Sequence, residues 1–264
     1  MAARARVQYH EAGTRGAEIL IDAEGVAGRR IDPDYVWADI ELADARELAE
    51  PLRFESEGLC FVEAPSCLES GGDFEQLRPR YEAELCALLE AQIGARESIV
   101  FDHTLRSEVG QGRPPSYHAH CDYNVQSAAK RLRELVDESR AEQWLAGDFA
   151  IVNVWRPLGS PVERAPIAFV RPQSMATRDW VKVDIVFPAR RGQIMGVARS
   201  PAHEWVYLSA MRPNEAALFT VYASRGVTGV AHAAVALEGS EGARPRRSIE
   251  SRVFVALPAA PLAG

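Results

Sequence analysis

Several features that would assign a protein to a broad class are missing from this sequence. No stretch approaches the roughly eighteen apolar residues of a transmembrane helix, so we expect no membrane partner. The first residues carry positive charge, but no apolar run follows them, and we expect no secretory signal peptide. The formal net charge is -7 and the basic stretches are short, which argues against nucleic-acid binding and leaves a small molecule as the expected partner.

Cysteine is also scarce. The 4 cysteines form no Cys-x-x-Cys pair and are too sparse for a disulfide scaffold, so reduced thiols in a cytoplasmic protein are the simplest expectation. The sequence contains no internal repeat, no low-complexity tract and no obvious linker. Its 264 residues are enough to bury a full core, and we predict a single domain over residues 1–264.

The order of the expected elements divides this domain into two parts. Residues 1–109 alternate short strands with one helix, which Asp73 caps and Gly94 ends. Residues 110–264 contain a second amphipathic helix, over about 127–145, followed by seven short β-rich runs that Pro, Gly or Asn interrupts. Such runs indicate a sandwich or barrel rather than βαβ units. We therefore predict a mostly β fold with flanking helices, in which residues 1–109 support a core formed by 110–264.

The stretch YHAHCDYN, residues 117–124, has the pattern of a metal site. On a strand, His120 and Asp122 point to the same face because they are two residues apart. Two histidines and one carboxylate occupy one face of an octahedral Fe(II), leaving three positions for a bidentate co-substrate and dioxygen. For the third ligand we favour His232, on an apolar strand near the C-terminus. His118 shares the strand face of His120 and is a competing ligand, but His120 and Asp122 already supply the pair, so a place behind the ligands suits His118 better. A substrate contact is its other candidate role.

The stretch RRSIESR follows His232 and predicts an anion-binding strand face. Arg246 and Ser248 point to the same side, and a forked guanidinium beside a hydroxyl can bind a carboxylate. The distal carboxylate of 2-oxoglutarate is the expected occupant, with its 2-oxo acid end on the iron. Arg252 is the second candidate for this role or for a substrate carboxylate. An ion pair between Arg252 and Glu250 is the alternative.

Three further side chains are candidates for contact with the substrate or co-substrate. Arg156 in NVWRPL is a candidate substrate contact, although a cation–π packing role is equally expected. Tyr207 is a candidate for stacking on substrate, with core packing as the default. Asn153 could hydrogen-bond the co-substrate, but an amide at the edge of a sheet is the favoured interpretation.

The sequence resembles a known family, the hydroxylase/desaturase family of Fe(II)/2-oxoglutarate-dependent oxygenases. The resemblance covers almost the whole chain, with two departures. Residues 222–224 read YAS where the family has YDS, and an aspartate of the family is replaced near Arg171. The resemblance implies a double-stranded β-helix (jelly-roll, cupin-like) core, a cytoplasmic location, the cofactors Fe(II), 2-oxoglutarate and O2, and His120, Asp122 and His232 as iron ligands. The segments that carry it are GARESIVFDHTLRS, RPPSYHAHCDYN, NVWRPL, EWVYLSAMRPNEAALFTVYAS and PRRSIESR.

The expected activity is C–H hydroxylation, desaturation or oxidative cyclisation of a small specialised metabolite or an amino-acid- or peptide-derived substrate. One alternative is a cupin-like metal hydrolase or isomerase with the same ligands, which would not need the Arg-x-Ser pair. Another is a non-catalytic β-sandwich binding protein, in which Asp122 caps the following helix and His232 is a core residue. Self-association into a homo-oligomer stays open.

Overall fold

The computed structural model describes residues 2–110, 112–227 and 229–258. Within these ranges the α-helices are α1 (Phe54–Glu57), α2 (Phe74–Ile93), α3 (Val125–Leu135) and α4 (Glu138–Ala146), and short 3-10 helices span Ala23–Gly25, Cys67–Ser70, Pro172–Ser174 and Thr177–Asp179. The strands are β1 (Ala3–Tyr9), β2 (Gly16–Ile21), β3 (Arg30–Ile31), β4 (Val36–Asp44), β5 (Leu59–Glu63), β6 (Glu97–Ser107), β7 (His120–Cys121), β8 (Phe149–Pro157), β9 (Ile167–Val170), β10 (Trp180–Val186), β11 (Arg191–Val197), β12 (Trp205–Tyr207), β13 (Glu215–Ala223), β14 (His232–Ala234), β15 (Ala236–Leu237) and β16 (Arg247–Ala256).

The strands form two sheets, as the interrupted β-rich runs predict. The larger sheet has the order β15-β1-β4-β12-β9-β14-β7-β11-β10-β2-β3, and the smaller one has the order β5-β13-β8-β16-β6. Strands from residues before 110 lie in both sheets, so the early part of the chain extends them. Of the described helices, none is long and apolar enough to cross a membrane.

The core lies between the sheets because each strand alternates its side chains between two faces. On β8, Ile151 and Trp155 pack in the cluster that also contains Phe169 of the larger sheet. The intervening Val152 and Val154 pack on the other side of β8, in the cluster that contains the buried face of α2. Odd-numbered residues of β8 therefore face the interior between the sheets, and even-numbered residues face the layer beneath α2.

Helix α2 begins and ends where the sequence predicts. The side chain of Asp73 accepts a hydrogen bond from the backbone N–H of Glu75, satisfying one free donor of the first turn. Gly94 takes the left-handed conformation at φ 66 and donates its backbone N–H to Glu90, which closes the helix. The buried face of α2 carries Leu85 and Leu89, and this face fixes the helix against the smaller sheet.

The single helix predicted over about 127–145 is wrong, because the structure has two helices there. Val136 is extended, at φ -130 and ψ 164, and α3 ends before it. The carboxylate of Asp137 then accepts the backbone N–H of Arg140 and starts α4. Asn124 caps α3 by accepting the N–H of Ser127. Asp122 therefore does not cap this helix, which removes one support of the non-metal hypothesis.

Candidate metal centre and adjoining cavity

Two short strands bring the predicted histidines together. β7 and β14 are antiparallel neighbours in the larger sheet, and His120 pairs directly with His232. Their rings lie 4.6 Å apart, centre to centre. Asp122 follows β7, and one ligand atom from each of the three side chains lies within 4.8 Å of the others. Two parts of the chain that are more than a hundred residues apart thus place two nitrogen donors and one oxygen donor at one point.

A hydrogen bond to a backbone carbonyl orients each imidazole. The Nδ1 atom of His120 lies 2.8 Å from the carbonyl of His118, and the Nδ1 atom of His232 lies 3.1 Å from the carbonyl of Val230. A carbonyl oxygen only accepts, so each Nδ1 carries the proton and each Nε2 presents its lone pair. The Nε2 atom of His232 is buried and has no hydrogen-bond partner among the described residues. This arrangement is suited to metal ligation.

Asp122 is held by one of its two oxygens. Oδ2 accepts from Nδ2 of Asn153 at 2.9 Å and from Nε of Arg252 at 2.9 Å. Oδ1 lies 3.5 Å from Nε2 of His120 and faces the histidines. Burial raises the pKa of Asp122, but the charge of Arg252 and the contacts with His120 and His232 together outweigh it and hold this pKa well below its usual range. The carboxylate is therefore ionised at neutral pH.

The protonation states of Asp122 and His232 match those that a divalent cation requires. Burial, followed by the charge of the His120 ring, lowers the pKa of His232 to about 4, so this imidazole is neutral near pH 7. Two imidazoles and one carboxylate form the donor set of non-haem Fe(II) sites. The residues present therefore fit an Fe(II) ion.

A narrow cavity adjoins the two histidines. Arg246 is buried, and its Nη1 donates to the carbonyl of Ala165 at 2.6 Å, while Nε has no hydrogen-bond partner in the described residues. Ser248 is buried, and its Oγ is likewise unpartnered there. An unsatisfied buried donor is unfavourable unless a ligand completes it. The cavity is lined by Arg106, Ser116, His120, Trp155, Ile167, His232, Ala233, Ala234, Arg246 and Glu250.

Arg106, which lies in the segment FDHTLR of the family resemblance and is expected from it to be a structural or pocket-wall residue, lines the cavity. It lies on β6 directly opposite Ser248 of β16. Its Nη1 donates to the carbonyl of Pro114. Burial lowers the pKa of Arg106, although the nearby charge of Glu250 raises it. The only signal in the sequence is its position in the segment FDHTLR, since no local pattern shows that β6 pairs with β16.

Arg252 does not belong to the cavity, contrary to its prediction as a co-substrate ligand. Besides Asp122, its guanidinium donates to Asp102 at 2.5 Å, to Thr104 at 3.0 Å and to Glu250 at 2.6 Å. Burial lowers the pKa of Arg252, but these carboxylates raise it well above its usual value. The predicted alternative, an ion pair with Glu250, is the observed arrangement. Its donors are used within the protein, so they are not free for a dicarboxylate.

The predicted substrate contacts Arg156 and Tyr207 lie on the wrong faces of their strands. Arg156 is even-numbered on β8, donates to the carbonyl of Ala64 at 2.8 Å and lies over the ring of Tyr81 beneath α2. Tyr207 packs with the outer cluster of the larger sheet, whereas its neighbour Val206 faces the interior. Both side chains are directed away from His120 because a strand alternates its faces.

His118 lies behind His120, the position favoured from the sequence, and not at the candidate substrate contact, whereas Asn153 differs from its favoured environment. The His118 ring stacks on Tyr35 at 4.9 Å, lies 4.8 Å from the His120 ring and contacts Ser116 Oγ, so it supports His120 and is absent from the cavity lining. Burial, followed by the charge of the His120 ring, lowers the pKa of His118 well below its usual range. Asn153 is fully buried in the centre of the smaller sheet rather than at an edge, and its amide reaches Asp122.

Comparison with known proteins relates this geometry to oxygenases. The alpha-ketoglutarate-dependent dioxygenase phiK from a fungal species is 26% identical over 235 residues, which cover 82% of this chain and 83% of phiK. The Fe(II)/2-oxoglutarate-dependent dioxygenase nvfI from Aspergillus novofumigatus is 28% identical over 232 residues, covering 82% of each chain. The hydroxylase/desaturase efuI from Hormonema carpetanum is 25% identical over 215 residues, covering 69% of this chain and 72% of efuI.

The structural comparison agrees. A structure of the iron and alpha-ketoglutarate-dependent endoperoxidase NvfI has a TM-score of 0.87 and 23% identity and covers 97% of both chains, which confirms the predicted fold class. The relatives confirm the resemblance stated from the sequence and the prediction of an oxidoreductase. The family model described as an oxidoreductase/YMDC permease-like domain matches residues 7–256, nearly the whole chain, and the chain therefore belongs to that family.

Proposed function

We propose that this protein is an Fe(II)- and 2-oxoglutarate-dependent dioxygenase in which His120, Asp122 and His232 hold the iron. The bound metal and co-substrate supply the oxidising power for cleavage of a C–H bond, with dioxygen as the oxidant. The two Nε2 atoms and Asp122 Oδ1 are the protein's contribution to the metal. Three positions remain open on an ion held in this way.

The co-substrate binds in the cavity beside the histidines. Arg246 and Ser248 hold its distal carboxylate, because a forked guanidinium and a hydroxyl suit a carboxylate and both side chains offer unpartnered atoms. Arg106 lines the same cavity and adds positive charge. Trp155 forms the wall next to Arg246, whose guanidinium lies 5.5 Å from the indole centre. This contact limits where the guanidinium can turn.

The charges around this region support binding of a divalent cation together with a dianion. Three formal negative charges match three formal positive charges here. The carboxylates are Asp102, Asp122 and Glu250, and the guanidinium groups are Arg106, Arg246 and Arg252. Fe(II) and 2-oxoglutarate carry equal and opposite charges, so their joint binding keeps this balance. A single buried charge without such compensation is costly.

One observation carries the proposal. The unpartnered Nε2 of His232 adjoins the same cavity as the unpartnered Nε of Arg246. A metal hydrolase or isomerase would need the first feature but has no use for the second. The expected reaction is hydroxylation, desaturation or oxidative cyclisation of a small specialised metabolite. The protein acts in the cytoplasm and does not bind nucleic acid.

The proposal is tested by anaerobic titration of the purified protein with Fe(II) and then with 2-oxoglutarate. We expect a visible charge-transfer band that requires both additions, and succinate release when oxygen is admitted with an accepted substrate. His120→Ala and Asp122→Ala should lose the band and all turnover while remaining folded, because Arg252 keeps Asp102 and Glu250 as partners.

His103→Gln is the matched control, since His103 contacts Glu82 and Ser251 on the α2 side of the sheet. This variant should keep the band. Iron binding without a 2-oxoglutarate-dependent band would favour the hydrolase or isomerase alternative. Absence of any iron binding would refute both enzyme hypotheses and favour a binding protein.

A further inference from the structure

Building on the proposed iron site, we propose that Arg252 and Asn153 are positioning residues that restrict Asp122 to one ligand oxygen and thereby keep a coordination position open. Neither residue touches the cavity that adjoins the histidines. Their effect on the metal passes through Asp122. This role goes beyond ion pairing within the fold, because it concerns which oxygen of Asp122 is available.

The two donors converge on a single atom. Asn153 Nδ2 and Arg252 Nε each lie 2.9 Å from Oδ2 of Asp122. Asn153 and Arg252 are direct partners across the β8–β16 pair, so adjacent strands present both donors together. A carboxylate oxygen that accepts two hydrogen bonds, one of them charge-assisted, is held away from other partners. Oδ1 has the opposite environment and faces the Nε2 of His120 at 3.5 Å.

This asymmetry matters because an octahedral ion has six positions. Two imidazoles and one carboxylate oxygen use three of them and leave three. A 2-oxo acid that chelates the ion uses two, and dioxygen needs the last. If Asp122 turned to bind through both oxygens, it would occupy one of the positions that the reaction requires.

Arg252 is itself immobilised and cannot release Asp122 at low cost. Its Nη1 is bonded to Asp102 and Thr104, and its Nη2 is bonded to Glu250. With Nε on Asp122, four of the roughly five N–H donors that a guanidinium offers are engaged. A substrate carboxylate would have to displace one of these partners. We therefore assign Arg252 to Asp122 rather than to a ligand.

The test compares Fe(II) affinity in four proteins, measured anaerobically without co-substrate. Arg252→Lys keeps the buried positive charge but loses the planar fork. Asn153→Leu removes one donor at nearly constant volume and also removes an amide oxygen that has no partner among the described residues. Leu85→Ala is the control, because it creates a cavity in the α2 layer and lowers stability without touching the site.

We expect Arg252→Lys and Asn153→Leu to weaken Fe(II) binding about 10–100-fold, the range typical of residues that orient a metal ligand. Leu85→Ala should lower the melting temperature and leave Fe(II) affinity unchanged. Crystals of the Co(II)-loaded Arg252→Lys protein, which lacks the charge-assisted donor to Oδ2, should show both Asp122 oxygens turned toward the metal.

Fe(II) affinities within twofold of wild type in both site variants would overturn the positioning role and leave the proposed function standing. A wild-type protein that binds no Fe(II) would overturn the proposed function itself. A loss of affinity in Leu85→Ala equal to that in Asn153→Leu would also overturn the inference, because general destabilisation would then explain the effect.

Discussion

Arg246 and Arg252 belong to one short stretch of chain and point toward the interior, yet their surroundings are opposite. Arg252 donates to Asp122, Asp102, Thr104 and Glu250. Arg246 is the more deeply buried of the two, but its side chain has one hydrogen bond, to a backbone carbonyl, and an Nε without a partner in the described residues. Burial also lowers the pKa of Arg246 to about 10, whereas nearby carboxylates raise that of Arg252.

The difference indicates how a buried arginine is used. A guanidinium that has nearly all its partners within the protein contributes to the fold and to the geometry of what it touches. A guanidinium that lacks them remains available to an anionic ligand, at some cost to the empty protein. A free donor beside the cavity therefore distinguishes the two roles better than the motif does, whereas Arg156 also has an unpartnered Nε but lies on the α2 side of the sheet, outside the cavity lining.

The largest expected effect comes from Arg252→Met. This change leaves three carboxylates without their common cation, and breaking a buried ion pair from one side costs about 3–5 kcal/mol in unfolding free energy. Chemical denaturation of the metal-free protein measures it. The exposed Arg247, substituted in the same way, should change stability by less than about 0.5 kcal/mol. Similarly small changes in unfolding free energy for both variants would contradict the structural role assigned to Arg252.

Arg246→Gln should act on the co-substrate rather than on the fold. Loss of the guanidinium removes charge-assisted bonds to the distal carboxylate, and we expect the KM for 2-oxoglutarate to rise about 100-fold, or about 2.7 kcal/mol. Fe(II) affinity should stay within about threefold of wild type. The measurement is succinate release against 2-oxoglutarate concentration. An unchanged KM would place the carboxylate elsewhere.

Arg156→Met is expected to affect stability alone. The side chain packs on Tyr81 and bonds the Ala64 carbonyl beneath α2, so its loss should cost about 1–2 kcal/mol of unfolding free energy. The KM values for 2-oxoglutarate and for an accepted substrate should not change. A raised KM for the substrate with an unchanged unfolding free energy would show instead that Arg156 contacts the substrate.

Ser248→Ala should give the smallest effect. One neutral hydrogen bond to the co-substrate is worth about 1 kcal/mol, so the KM for 2-oxoglutarate should rise about fivefold. The unfolding free energy of the metal-free protein should stay the same or increase, because an unpartnered hydroxyl disappears. Thermal denaturation with and without Fe(II) and 2-oxoglutarate separates these outcomes, and a clear loss of stability without ligands would contradict them.

Much of the site can be predicted because it depends on short-range patterns. The spacing of His120 and Asp122 and the apolar run around His232 are local, and so is the shared face of Arg246 and Ser248. The end of α2 at Gly94 follows from backbone conformation alone. The break between α3 and α4 escaped prediction because the amphipathic pattern continues across Val136, whereas the backbone does not.

The sequence by itself determined a mostly β chain with flanking helices, the three candidate ligands and the Arg-x-Ser pair, because residue type and spacing along one strand are sufficient for these. Only the tertiary structure decided that Arg156 and Tyr207 face away from the site and that Arg252 is bound by carboxylates. It also brought Asn153 to Asp122 and Arg106 into the cavity. These outcomes depend on strand order and cross-strand register, which couple residues that are distant in the chain and leave no local pattern.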